Sequence, residues 1–416
     1  IAIAAVMPVA ATDLNAISNY AVTFTSFTMA SLLGMSFAGL WANKLGLAKV
    51  VIFAIATLAI GSLVAGFAPN LAVLTLGRSL QGFAMGLDLV TMYVVIGRMY
   101  PEALRAKAFG MLAAAWVVPG LIGPGLAGLL VEISSWRMTF WIVPLLLVIP
   151  TMLLIPELIK LPLVPSPARP DAKKQIVAVL VAIAALALFQ GGASHVGRWP
   201  ALNIVLIAIV SLSFAAWATT VLMPKGFLRI APGIPAVVGM RGVVAGAFFT
   251  AEIYVPLALQ EIRGVSVALS GGVLTAATIT WFAGSWLQGS HRLKLSREQI
   301  LVIGVLMTTL GIALIPIAVF VPNSTGMAAL LASLVWGVSA FGMGICFPTL
   351  GVLMLDKSLE AEHARNSASL QMSDSFGVII ATALAGSLLS VASLNSNITS
   401  ATFTSIWIFC AIVGLI

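Results

Sequence analysis

The chain has 416 residues, 61% of them hydrophobic and 8% charged, with mean hydropathy +1.12 and a formal net charge of +8. Soluble domains carry about 25% charged residues, so this composition excludes an ordinary soluble domain and places most of the chain in lipid. The basic excess does not imply a nucleic-acid partner, because the Lys and Arg residues fall in short breaks between apolar runs rather than on one soluble face.

A spanning helix needs about 20 mostly apolar residues. The runs between charged or Pro/Gly/Asn-rich breaks number fourteen, at 1–13, 20–42, 48–67, 71–96, 107–131, 137–156, 176–192, 200–222, 236–259, 268–288, 299–320, 327–354, 368–392 and 401–416. Thirteen residues of helix cover only about 20 Å of a hydrocarbon core about 30 Å thick. The chain is therefore expected to begin inside its first span and to stop inside its last. No cleavable signal peptide is visible.

Charge orients these spans. With both true termini inside, the even-to-odd loops are cytoplasmic, and they hold 16 of the 21 basic residues. The opposite loops hold three, Arg137, Arg198 and Arg263, while Arg78 and Arg241 fall within spans. That asymmetry follows the positive-inside rule, and one span more or fewer would scramble it.

The spans also repeat. VMPVAATDL (Val6 to Leu14) and FAGLWA (Phe37 to Ala42) read like YVPLALQEI (Tyr254 to Ile262) and FAGSWL (Phe282 to Leu287). GFAMG (Gly82 to Gly86) resembles AFGMG (Ala340 to Gly344). Pro8 pairs with Pro256, Gly39 with Gly284 and Trp41 with Trp286. The expected fold is all-α integral membrane, with two pseudo-symmetric six-helix bundles and two extra central spans. The domains are then 1–156, a cytoplasmic linker at 157–175, the extra spans at 176–222 and the second bundle at 236–416. A parallel repeat of this kind usually flanks a substrate path near mid-bilayer.

Three local patterns carry chemistry or mechanics. GLWANKLGLAKV (Gly39 to Val50) joins spans two and three. Gly39 and Gly46 are expected to permit a tight turn and close helix approach, with Asn43 between them and Lys44 supplying charge. LGRSLQGFAMG (Leu76 to Gly86) puts Arg78 inside span four, where a cation must face protein or a water-filled cavity. WVVPGLIGPGLAGLL (Trp116 to Leu130) gives span five Gly120, Gly123, Pro124 and Gly128. Small residues let helices approach closely in lipid, and Pro124 favours a kink.

These patterns resemble those of the major facilitator superfamily, in its fourteen-helix drug:proton antiporter branch, and the resemblance covers essentially the whole chain. The first is similar to the superfamily loop G-x-L-a-D-r-x-G-r-k, with Asn43 where the family has Asp. The second resembles L-x-x-x-R-x-x-Q-G and includes Gln81 and Gly82. The third resembles the antiporter motif G-x-x-x-G-P-x-x-G-G, with Ala127 at a glycine position. The resemblance implies a role for Arg78 in proton coupling and a sealing, bendable fifth helix. A structural arginine bonded to helix-end carbonyls is the alternative for Arg78.

A proton-coupled carrier needs a group that exchanges protons, and burial disfavours the charged form of a carboxylate. Glu252, near the middle of span nine, is the first candidate, and the repeat matches it with Ala4. Asp88 in span four and Asp374 in span thirteen follow. Arg241 lies eleven residues before Glu252, on the same helical face but too far along the axis to pair with it; Asp374 is at a similar depth and is its expected partner. Each carboxylate could instead be a structural group hydrogen-bonded between helices. Tyr93, Trp116, Phe248, Phe249, Tyr254 and Gln371 are the lining candidates, with ordinary helix packing as the alternative for each aromatic.

Cys346 and Cys410 both lie in apolar spans, and His195, His291 and His363 form no cluster, so no metal site or cofactor other than the coupling proton is expected. The reading is a non-enzymatic, proton-coupled antiporter of the cell membrane, functional as a monomer, exporting amphipathic or cationic solutes. An importer or facilitator of a metabolite is the first alternative. A sensor or enzyme on a carrier fold is the second, with no nucleophile elbow or phosphate loop to support it.

Overall fold

The computed structural model describes residues 2–99, 102–160, 172–290, 295–359, 362–394 and 398–416. All of the regular structure among them is helical. Each apolar run is one α-helix: α1 (Ala2–Asp13), α2 (Tyr20–Leu45), α3 (Leu47–Gly66), α4 (Leu71–Met99), α5 (Glu102–Ile133), α6 (Met138–Ile159) and α7 (Ala172–Ser194). The chain continues with α8 (Ala201–Leu222), α9 (Ile234–Glu261), α10 (Val267–Gly289), α11 (Arg297–Phe320), α12 (Thr325–Lys357), α13 (His363–Leu394) and α14 (Ser400–Leu415). Among the described residues, eleven helical stretches are long and apolar enough to cross a membrane. Ile3–Asp13, Val118–Ile133 and Ser400–Leu415 are shorter apolar stretches. Only a helix or a closed barrel satisfies every backbone polar group in lipid, and these uniformly apolar runs supply no alternation for a barrel.

Local chemistry sets the helix ends. Ser296 and Gln299 form a reciprocal capping box on α11, the serine hydroxyl accepting from the Gln299 N–H at 3.2 Å. Ser266 and Ser324 accept from the third residue of α10 and α12 in the same way. Between α2 and α3 the whole turn is Gly46, at φ +87°, a conformation that favours glycine. Gly39 lies inside α2, where an added Cβ would meet nothing within 4 Å. This corrects the expectation that Gly39 shapes the turn. Helix propensity carries α2 on to Leu45, so Gly46 alone reverses the chain.

Helix packing recurs at an offset of eight helices. In the first six, α4 packs on α2 and α3, α3 on α6, and α1 on α5. In the last six, α12 packs on α10 and α11, α11 on α14, and α9 on α13. Glycines let backbones meet in both sets: Gly82 sits on the Phe27 carbonyl of α2, and Gly344 on the Trp281 carbonyl of α10. Helix α9 is buried along nearly its whole length, touching α1, α10, α11, α12, α13 and α14. Helices α7 and α8 form a hairpin whose carbonyls at Ser194 and Leu222 accept from Ser390 and Ser369 of α13, at 3.1 and 3.0 Å. Helix α7 also packs on α2.

Candidate functional site

The first and last six helices are joined at the end that carries Asp13 and Glu261. Thr12 donates to Glu261 Oε1 at 2.9 Å. Gln260 Nε2 donates to the Ala5 carbonyl at 2.8 Å and to Ser270 at 2.7 Å. Tyr20 donates to the Ile253 carbonyl at 2.8 Å, beside Tyr254. Glu132, at the end of α5, accepts from the Ala268 N–H in the first turn of α10 at 3.3 Å. The glycines of the fifth helix meet α10 directly: a Cβ at Gly128 would lie 2.6 Å from Ala268 Cα, and one at Gly120 would lie 2.6 Å from the Thr278 methyl. Pro124 presents its carbonyl to Gly271. Asp13 is tied within the first six helices, accepting from Trp136 Nε1 and Arg137 Nη1, each at 2.9 Å.

Below this seam, one face of α9 carries the chemistry. At about 100° per residue, Arg241, Ala245, Phe248, Phe249 and Glu252 share a sector about 100° wide. At about 1.5 Å per residue, Glu252 lies about 14 Å from the Glu261 end, Phe249 about 18 Å and Arg241 about 30 Å. Arg241 Nε donates to Asp374 Oδ1 at 2.8 Å, and its Nη1 to the Phe347 carbonyl at 2.7 Å. Its guanidinium also lies 3.2 Å from the centre of the Phe347 ring. The pair that depth alone pointed to is therefore in contact. It spans the tight crossing of α9 and α13, where Gly242 and Gly377 put backbone against backbone and Ser373 donates to the Val238 carbonyl at 2.6 Å.

Next along this face is an aromatic cluster from three helices. Phe249, Trp281 of α10 and Phe347 of α12 are each partly buried, with ring centres 5.6 to 6.2 Å apart. Phe248 is fully buried and stacks on Trp336 at 4.9 Å. Among the described residues, the Trp336 indole N–H has no hydrogen-bond partner. Glu252, one turn beyond Phe248, is 8% exposed. Among the described residues its carboxylate makes no hydrogen bond or ion pair.

Arg78 belongs to a separate network in the first six helices. It is 7% exposed, donates to Gln81 Oε1 at 2.7 Å and to the Thr23 carbonyl at 3.4 Å, and lies 4.4 Å over the Phe27 ring. Gln81 donates in turn to Ser62 at 2.8 Å, and Ser62 to the Leu58 carbonyl at 2.8 Å. Asp88 is partly buried on α4 and makes no bond among the described residues. Tyr93, also on α4, is 45% exposed. Tyr254 turns away from the Arg241–Glu252 face and packs on Tyr20, with ring centres 5.9 Å apart. Gln371 is partly buried on α13, three residues before Asp374. Gly123 is partly buried on α5 and Lys44 is exposed at the end of α2. The side chains of Asn43 and Trp116 lie outside the described residues.

The Major Facilitator Superfamily model matches residues 1–359. The chain belongs to the Major Facilitator Superfamily. A relative described as an uncharacterized MFS-type transporter of Mycobacterium tuberculosis is 27% identical over 297 residues, covering 66% of this chain and 42% of the relative. The chain thus spans less than half the length of that relative. A probable multidrug-efflux transporter of the same species is 24% identical over 420 residues, covering 93% of this chain and 83% of the relative. Among solved structures, the POT family transporter PepTSo superimposes with TM-score 0.72 at 11% identity, covering 100% of this chain and 93% of that one.

As a superfamily member, the chain is a multi-pass membrane protein, and the relatives it resembles are described as transporters. Sequence reasoning missed Trp281, Trp336 and Phe347 at this site. Their one signal was position: Trp281 and Phe347 stand in spans whose neighbours on α9 and α13 carry the charged pair.

Proposed function

We propose that this transporter is a proton-coupled antiporter that exports small amphipathic or cationic organic solutes across the cell membrane by alternating access. In this reading all fourteen helices span, as two pseudo-symmetric bundles of six around the α7–α8 hairpin. Both termini are cytoplasmic, so the Asp13 end is the outer one, and the chain works as a monomer. The recurring packing pairs and the charge asymmetry of the loops support that arrangement. The printed description of the multidrug-efflux relative supports the export of drug-like solutes.

The observation that carries the reading is Glu252. A buried carboxylate with no hydrogen-bond or ion-pair partner among the described residues is costly when ionised, so it favours either a proton or a solute cation as its companion. Those two companions are what an antiporter exchanges. Arg78 tunes the first bundle through Gln81, Asp374 and Arg241 hold the inner part of the path, and Asp88 is the reserve proton site. The motif glycines Gly120 and Gly128 seal the outer end against α10.

Sealed vesicles with an imposed pH gradient test this function. Gradient-driven accumulation of a cationic dye is expected, together with solute-induced proton release. Glu252→Gln is expected to abolish proton release while leaving residual downhill flux. Equilibration of the dye without accumulation, whether or not the gradient is imposed, would remove antiport in favour of a facilitator, and unchanged proton release in Glu252→Gln would transfer the proton site to Asp88.

A further inference from the structure

The Arg241–Glu252 face holds two charges of opposite sign, and their protein partners leave them unequally committed. A guanidinium carries five N–H donors. Asp374 takes Nε–H and the Phe347 carbonyl takes one from Nη1. The Nη2 donors make no hydrogen bond among the described residues, so Arg241 keeps donors for a further acceptor oxygen. Asp374 is the reverse case: its charge is already matched by Arg241, and a solute cation that took it would strand a buried guanidinium. A cation's place is therefore Glu252. Between the two charges lie the partly buried rings of Phe249, Trp281 and Phe347, with the unpaired Trp336 N–H at the level of Phe248.

We propose that this face reads amphoteric aromatic solutes by length. The solute's carboxylate sits on Arg241, its flat rings lie against the Phe249–Trp281–Phe347 cluster, and its ammonium sits on Glu252. The inference rests on the transport reading above and narrows its solute class from cationic to doubly charged. Eleven residues of helix set Arg241 and Glu252 about 16 Å apart along the axis. Subtracting a contact of about 3 Å at each end leaves about 10 Å between the charges of a fitting solute. A solute with a cation alone leaves the Arg241 donors unused, and one with an anion alone leaves Glu252 uncompensated. Either loss costs roughly tenfold or more in affinity.

The test is equilibrium binding to the purified full chain in lipid nanodiscs, read by tryptophan fluorescence with no gradient imposed. The probes are 4'-(aminomethyl)biphenyl-4-carboxylate, its methyl ester and its N-acetyl derivative, which present both charges, the cation alone and the anion alone. The doubly charged probe is expected to bind at least about tenfold tighter than either. Arg241→Lys retains its advantage over the ester, whereas the Arg241→Gln/Asp374→Asn double variant, which strands no partner, loses it. Glu252→Gln loses the advantage over the N-acetyl probe and keeps the other. Equal binding of the three probes, no binding of any, or preferences that survive in the variants would overturn the proposal. If vesicle export fails while this selectivity holds, the transport reading falls and the recognition stands. If export is gradient-driven while the selectivity is absent, the recognition falls alone.

Discussion

Arg78 and Arg241 are both almost fully buried, at 7% and 8% exposure, and each lays its guanidinium over a phenylalanine and donates to a backbone carbonyl. They differ in the remaining partner. Arg241 has a carboxylate, Asp374, at 2.8 Å. Arg78 has a neutral amide, Gln81, which heads a chain of donors through Ser62 to the Leu58 carbonyl. The last six helices thus contain a charge-matched pair, and the first six contain a cation spread over dipoles. A positive charge without a counter-charge in lipid is stable only with strong local solvation, so the Arg78 network must remain intact. The Arg241 pair can instead be deleted as a unit. Equivalent-looking arginines are therefore expected to fail in different ways.

The largest effect tests that difference directly. Arg241→Gln abandons Asp374 in a low-dielectric site and is expected to destabilise the protein by about 3–5 kcal/mol. Adding Asp374→Asn should recover most of that loss. Thermal unfolding in detergent measures both, and a double variant as unstable as the single one would show that the pair does not behave as a unit. Arg78→Gln abandons no carboxylate. Its expected cost is the loss of charge-assisted hydrogen bonds, about 1.5–3 kcal/mol. Gln81→Leu should cost a similar amount, because it leaves Arg78 without its best acceptor. If Arg78→Gln proves more damaging than Arg241→Gln, a counter-charge for Arg78 has been overlooked.

Much of this contrast was legible in the sequence, and the reason is the cost of charge in lipid. Arg78, Arg241 and Asp374 stood out because few ionisable residues occur in spans, and matching depth pointed Arg241 to Asp374. The helices were legible for the same reason: a long apolar run in a membrane has only one regular structure available to it. Their ends were less so. Helix α13 begins at His363 and ends at Leu394, against the apolar run at 368–392, because long charged and small polar side chains at helix ends reach water without breaking the helix. The aromatic cluster was hidden. A tryptophan in a span is equally content against lipid or protein, so periodicity carries no signal for Trp281, Trp336 or Phe347. Ser62 was also invisible, because its role depends on which face of α3 meets α4.

The seam between the halves gives the next effect. Tyr20→Phe removes one hydrogen bond across it, to the Ile253 carbonyl, while keeping the ring on Tyr254. A neutral hydrogen bond contributes about 1 kcal/mol, so the open-seam population should rise about fivefold. Labelling of a cysteine placed at Ala11, which is buried at this end of α1, by a membrane-impermeant reagent reports that population in intact cells. No change in labelling would mean that the polar contacts of Gln260, Thr12 and Glu132 hold the seam without Tyr20.

A last contrast comes from two glycines that the repeat sets equal and the packing does not. Gly284 on α10 abuts the Phe341 carbonyl of α12, and an added Cβ would also lie 3.2 Å from the Ile345 nitrogen. Neither atom belongs to a flexible side chain, so relief requires moving a helix. Gly284→Ala is expected to cost about 1–3 kcal/mol by overpacking. Its partner Gly39 has open space around it and helical backbone on both sides. Gly39→Ala removes the entropy penalty of a mid-helix glycine and should stabilise by about 0.5–1 kcal/mol. Paired melting curves of the two variants set the sign. If Gly39→Ala leaves stability raised but stops transport, then Gly39 meets another helix in a second conformation. The symmetry between Gly39 and Gly284 would then be one of the transport cycle rather than of this single structure.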